Sequence, residues 1–386
     1  MQGIRRSARG APSTGSAGST PDTAAPRFGL LAMSPALDKL QRSWTRLTKR
    51  LTGPYSVLSE PPRPFVTALQ DVIAAMSEHF ADNPTNVDGA LLQFYFNALG
   101  FTRLLDSFGT HSMFDVSLDD RKGSGGGGSH SSLCVRNVLP APFLKPRFSA
   151  TRTTVLFSAT LAPSTFYGDT LGLPDDTAWL DVEAPFHADQ LTVHIARDVS
   201  TRYRDRARSL APIAHLIGVQ YTTLPGNYIA FFSSFEYLEQ AAGEFAARHP
   251  DIPTWKQGRR MDDAERKTFL ARFDVDGCGI AFAVLGGSFA EGIDLTGTRL
   301  IGAFIATLGL AQFNPVNEEL RRRLDTAFGA GHDYTYLFPG IRKVVQAAGR
   351  VVRTLTDRGV LHLIDDRFAR PDVLRLLPTW WRIAPI

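Results

Sequence analysis

Apolar and polar residues along this chain change their period twice. Residues 1 to about 28 are rich in Ser, Thr, Ala, Gly, Pro and Arg, with almost no apolar periodicity, and read as a disordered segment. From 29 to 119 the stretches LDKLQRSWTRLTKRL, PFVTALQDVIAAMSEHF and GALLQFYFNALGFTRLLDSF repeat apolar residues three and four apart, which predicts amphipathic helices. Gly, Pro and Asn break them at GPYS, SEPPRP and DNPTN. A small helical subdomain of three or four helices is expected there. The glycine–serine run at 120–132, DRKGSGGGGSHSS, reads as a flexible linker.

From about Leu133 onward, short apolar runs alternate with helical patterns. TTVLFSA, LTVHIA, NYIAFFS, IAFAVLGG, LIGAFIATL and GVLHLID read as buried strands. RDRARSLAPIAHLIGV, SFEYLEQAAGEFAARH, DDAERKTFLARF, NEELRRRLDTAF and IRKVVQAAGRVVRTL read as helices between them. Such alternation predicts an α/β domain on a parallel sheet, whose ligands bind at the carboxyl ends of the strands. The expected fold class is therefore α/β over 133–386, preceded by a small α-helical subdomain.

Composition narrows the field only modestly. A formal net charge of +4 permits nucleic-acid binding without requiring it. Two cysteines, Cys134 and Cys278, exclude a disulfide framework and a four-cysteine zinc or iron–sulfur site from this chain alone, and they fit a reducing cytoplasm. There is no apolar run long enough for a membrane span, and the basic start lacks the apolar region of a secretory signal, although its Arg-rich, acid-poor character also resembles a transit peptide.

Two stretches carry candidate chemistry. In QAAGRVVR at 346–353, helical spacing would put Gln346, Arg350 and Arg353 near one face, with Gly349 leaving it open. Two guanidiniums and an amide suit a polyphosphate, because arginine stays charged and grips phosphate oxygens in a fork. The plain structural alternative is a solvated basic helix face. In GGSFAEGIDL at 286–295, a glycine-rich turn follows a strand, so backbone amides can approach a phosphate. Its alternative is an ordinary strand-to-helix turn, and it is not a dinucleotide fingerprint. Ser158 and Thr160 can cap a turn, and Ser233 and Ser234 can cap the following helix. Asp365, Asp366 and Arg367 read as turn residues, His187, His194, His249 and His332 lack ligand spacing, and Trp380 and Trp381 read as a core seal.

FSATLAP, FFSSFEYL, KQG, GGSFAEGIDL and QAAGRVVR occur in this order, and FPGIRKVVQAAGRVVRTLTDRGVLHLIDDRF follows the same pattern at length. Together they resemble the DinG/XPD family of superfamily-two, iron–sulfur DNA helicases. The resemblance covers about Leu133 to the end, and the helical part is similar to a piece of that family's Arch. It implies a RecA-like second motor domain. It further implies that Ser158, Ala159 and Thr160 couple ATP hydrolysis to DNA movement. Ser233 and Ser234 would touch DNA, with Gln257 in a neighbouring motif. Glu291, Gly292 and Asp294, with Ser288 on the same loop, would meet nucleotide and DNA. Gln346, Arg350 and Arg353 would reach the γ-phosphate, one of the arginines as the finger. ATP with Mg2+, single-stranded DNA and a role in DNA repair are implied likewise, with 5′-to-3′ movement.

The chain has no G-x-x-x-x-G-K-[ST] phosphate loop, no DExH-like metal-holding motif and no cysteine quartet. In the family those lie N-terminal to these motifs. The expectation is thus a C-terminal motor portion that shares ATP and Mg2+ with a missing first motor domain and is inactive alone. The strand within 133–165 would belong to that other domain's sheet. Two rival readings are a non-catalytic module that binds single-stranded nucleic acid or a protein, and a Rossmann-type oxidoreductase.

Overall fold

A computed structural model describes residues 25–84, 88–119, 130–290, 292 and 294–385. The chain divides into two compact units at 142/143.

In the first unit, helices α1 (Ala25–Lys49), α2 (Arg63–Asp82) and α3 (Gly89–Asp106) form where the three-and-four spacing predicts them. The Asp88 carboxylate starts α3 by accepting from the Ala90 and Leu91 amides. Their apolar stripes bury Leu40, Leu69, Val72, Met76 and Leu91 together. Three strands were not anticipated: β1 (Tyr55–Leu58), β2 (Ser112–Asp119) and β3 (His130–Asn137), in the antiparallel order β1-β2-β3. Residues 130–132, expected in a linker, lie in β3, and Asp119 pairs with His130. The glycine–serine stretch between them, outside the described residues, therefore joins two neighbouring strands of one sheet. Polar β2 and β3, SMFDVSLD and HSSLCVRN, offered too weak a run of apolar residues to be recognised.

A helix at Ala141–Ala150 spans the division, and the second unit continues with α4 (Ser164–Leu171), β4 (Leu191–Ala196), α5 (Arg206–Thr223), β5 (Asn227–Phe232), α6 (Phe235–Arg248), β6 (Thr254–Lys256), α7 (Asp263–Ala271), β7 (Gly279–Val284), β8 (Gly302–Ala306), α8 (Pro315–Phe328), α9 (Phe338–Ala348), β9 (Gly359–Ile364) and β10 (Arg382–Pro385). The strands form one sheet in the order β10-β4-β9-β8-β5-β7-β6, and all six pairings are parallel. Every residue of β5 is buried, as a central strand covered on both faces requires. Ile229 and Phe231 join the core on one face with Ile341 and Val344 of α9, while Tyr228, Ala230 and Phe232 join the other with Ile213 of α5 and Leu238 of α6. The α/β expectation holds. Edge strands β6 and β10 escaped it because three or four residues give almost no period to read.

Two local expectations fail. TTVLFSA at 153–159 is not a strand: Val155 is 74% and Phe157 91% exposed. An apolar strand forms only where a neighbour takes its ladder and its faces are covered, and the sheet of this unit offers neither there. The helix expected over 341–355 ends at Ala348. Gly349 is a weak helix former, and burial of Val351 and Val352 pulls the chain inward beyond it. Trp381 is buried and Trp380 packs beside Phe186 and the core, as a core seal requires.

Candidate functional site

Because all seven strands run the same way, the sheet has a carboxyl rim and an amino edge, and the candidate residues divide between them. Ser233 and Ser234 follow β5 at the rim, Gln257 follows β6, and the 286–295 loop leaves β7. Ser234 caps α6, its hydroxyl accepting from the Tyr237 amide at 3.2 Å. Ser233 Oγ accepts from Arg206 Nη2 at 2.9 Å. Arg206, which the sequence did not single out, carries its guanidinium 5.1 Å from the Tyr203 ring and 5.2 Å from the Tyr237 ring. Burial pushes the Tyr237 hydroxyl up to about 12, so it stays protonated and shares a hydrogen with Ser209. Gln257 does not reach the surface: it is buried, and its Oε1 accepts from the Val284 amide at 2.8 Å. It clamps the start of the 286–295 loop, where a Cβ on Gly287 would lie 3.2 Å from its Nε2.

The loop then runs from the rim toward the opposite edge. Gly286 at φ 79° and Gly292 at φ 75° adopt left-handed backbone that side chains disfavour. Phe289 is buried and stacks on Phe269 with centroids 4.1 Å apart, and Leu295 is buried too, which leaves Ser288, Gly292 and Asp294 turned outward. Glu291 lies outside the described residues. Lys343 of α9 flanks the loop at Gly286. Arg350 Nε approaches the Ala290 carbonyl at 3.4 Å, and Arg353 Nε pairs with Asp294 Oδ1 at 3.2 Å.

Gln346 sits half-buried in the last turn of α9, whereas Arg350 and Arg353 lie in the turn beyond it, so the three do not share a helical face. They also sit at the amino edge, not at the carboxyl rim where the sheet type led us to expect ligands. α9 runs opposite to the strands, and its C-terminal turn delivers the chain to the start of β9. Asp357 builds that turn. It accepts from the Arg353 amide at 2.8 Å, the Thr354 amide at 2.9 Å, Thr354 Oγ1 at 2.6 Å and, from across the edge, the Gly297 amide at 3.2 Å. Burial raises the Asp357 carboxyl, but these donors outweigh it and hold the group below its usual range. Gln190, just before β4, donates to the carbonyls of Thr354, Leu355 and Asp357 at 3.2, 3.1 and 2.9 Å.

The 157–163 stretch stands apart. Ser158 and Ala159 are exposed, and Ser158 Oγ accepts from the Thr160 amide at 3.2 Å in a local turn. Its anchor is α4. Tyr167 donates to the Thr160 carbonyl at 2.7 Å, Phe166 packs edge-on to Tyr334 and Phe338, and the Tyr334 hydroxyl donates to Asp169. Tyr334 belongs to a π-helical turn, Asp333–Leu337, that runs directly into α9. α9 itself seats backbone against backbone. A Cβ on Gly309, at φ 73°, would lie 2.5 Å from the Gly340 carbonyl oxygen.

Asp365 and Arg367 form a bidentate pair, and Asp365 also accepts from the Thr201 amide and hydroxyl, which confirms turn duty for them. Among the described residues no three His, Cys, Asp or Glu side chains come together to hold a metal ion. No described helix is long and apolar enough to cross a membrane.

Residues 218–384 match the family model of the helicase C-terminal domain. A probable ATP-dependent helicase from Methanocaldococcus jannaschii is 28% identical over 260 residues, covering 62% of this chain and 38% of its own length. ATP-dependent helicase DinG of Mycobacterium tuberculosis is 30% identical over 269 residues, covering 65% of this chain and 39% of its own. The chain thus spans about two-fifths of the length of these relatives. Among solved structures, S. tokodaii Xpd4 superposes with a TM-score of 0.60 over 94% of this chain and 68% of that one at 15% identity, a likeness of fold. The seven-stranded unit is RecA-like.

Proposed function

We propose, for a chain that carries a helicase C-terminal domain and is similar to the C-terminal part of DinG- and XPD-type enzymes, that it is the second motor portion of an ATP-dependent DNA helicase. In this reading the amino edge is one wall of an ATP cleft. Arg350 and Arg353 present guanidiniums to the terminal phosphates, where arginine stabilises the charge of phosphoryl transfer. The observation that carries the reading is the convergence of the 286–295 loop on the turn after α9, which sets Arg353 against Asp294 at an exposed surface. An exposed ion pair is worth about 0–1 kcal/mol, so a polyphosphate can displace Asp294 from Arg353 at small cost. The opposing wall, with a phosphate loop and the magnesium ligands, would come from another motor domain. Support for such a neighbour comes from Val155 and Phe157, apolar residues with no sheet of their own. Single-stranded DNA would cross the carboxyl rim at Ser233, held mainly by its backbone.

The test is an ATPase assay on the purified chain with single-stranded DNA and ATP–magnesium. The expected result is negligible turnover, with DNA binding that weakens steeply as salt rises. Robust turnover that vanishes in Arg353→Ala would refute the need for a second lobe. DNA binding with no response once a first motor domain is supplied would favour a purely binding module.

A further inference from the structure

We propose that Tyr203 is a base-stacking platform for single-stranded nucleic acid at the carboxyl rim, with Arg206 and Ser233 as the phosphate-facing pair beside it. This rests on the reading of the rim as a nucleic-acid track, and adds to it a residue that no motif in the sequence marks.

The first observation is exposure without packing duty. Tyr203 is 82% exposed, yet it stands on a short helical turn, Tyr203–Asp205, whose flanks are fixed. Thr201 donates its amide and hydroxyl to buried Asp365 at 2.9 and 2.5 Å. Arg202 Nη1 donates to Asp366 Oδ1 at 2.6 Å and to Ser200 Oγ at 2.9 Å. A large ring on a rigid turn loses little freedom when a base settles on it.

The second observation is what lies behind the ring. The Arg206 guanidinium covers one side of Tyr203, itself backed by Tyr237, and so holds the phenol in place through cation–π contact. The other face is left to solvent. One Arg206 donor goes to Ser233, and no carboxylate pairs with it among the described residues; its Nε is buried, so the donors left for a ligand are those of its two terminal nitrogens. A forked cation with unspent donors beside a hydroxyl suits a phosphodiester, while an open aromatic face suits any base. Arg204 on that turn and Arg208 in the first turn of α5 lie 3.7 and 3.5 Å from the mostly covered Asp205 carboxylate and keep largely exposed side chains, a net positive pair that adds attraction for a polyanion.

The experiment measures binding of fluorescent oligo-dT to the full chain across a salt series, in parallel with an abasic oligomer of the same length. Tyr203→Ala should weaken oligo-dT binding roughly tenfold, with Tyr203→Phe close to the unaltered chain. It should leave the slope of log affinity against log salt, and the abasic oligomer, unchanged. Arg206→Gln should instead reduce that slope by about 0.7. Equal losses on both oligomers, or none on oligo-dT, overturn the stacking role while leaving the track intact. Failure of the unaltered chain to bind either oligomer at low salt overturns the track as well.

Discussion

The two ends of one parallel sheet place their polar side chains in different ways. At the carboxyl rim, Ser233, Ser234 and Gln257 stand within two positions of a strand end, and the strand places them directly. At the amino edge nothing is placed so simply. Asp294 arrives at the end of a loop that has crossed the flank of the sheet, and Arg353 arrives after a helix that stopped early. The rim is a property of β-strands, the amino edge a property of two long connections held in register by buried anchors. That difference predicts which substitutions disturb one end and which disturb both.

The largest effect should come from the anchor the two ends share. Phe289→Ala empties a buried site stacked on Phe269 and should cost about 3–5 kcal/mol of stability. Urea unfolding of the second unit measures it, and a loss under about 1 kcal/mol would mean that the ring does not seat the loop.

Acid should next loosen the sheet between the ends. His362 of β9 stacks on His194 and Phe304, and burial first, then His194, pushes it down to about 3 from 6.5. Its folded pKa lies below its unfolded one, so its stabilising effect is whole above about pH 6.5 and fades as pH falls toward 3. Each unit of that difference is worth about 1.4 kcal/mol. Stability followed from pH 7 to 4 should therefore fall, and His362→Phe should flatten the fall. An unchanged slope in that variant would assign the acid sensitivity elsewhere.

Asp357→Asn should separate the ends. It weakens acceptance from three donors of the 353–357 turn and from Gly297, and should cost about 1–3 kcal/mol. Affinity for single-stranded DNA, a rim property on our reading, should stay within about twofold, less than the 1.4 kcal/mol that a tenfold change requires. A large loss of DNA affinity in a folded Asp357→Asn protein would erase the distinction between the ends. The smallest effect belongs to Asp294→Ala, whose exposed pair with Arg353 should contribute at most about 0.5 kcal/mol to stability in a thermal melt.

The central strands were legible because burial on both faces writes unbroken apolar runs such as NYIAFF, and α1 to α3 because one-sided burial writes a helical period. Among the site residues, the hydroxyls after β5 and the glycines of the 286–295 loop could be placed from sequence alone, since each follows a strand. Arg206 and Tyr203 could not, because an arginine at a helix start and a lone tyrosine carry no periodic signal. Only the folded structure sets Arg206 against both Ser233 and the Tyr203 ring.

By itself, then, the sequence determined the α/β class, the order of the central strands and helices along the chain, and the motif order shared with helicases. Those follow from local period and local residue type. The tertiary structure alone decided that α9 stops at Ala348, that Arg353 meets Asp294 at the amino edge, that Gln257 is a buried clamp, and that residues 153–159 lie bare. Each of these depends on what a segment finds beside it after folding. A strand without a neighbour, or a helix whose next apolar residues belong in the core, looks the same in sequence as one that continues.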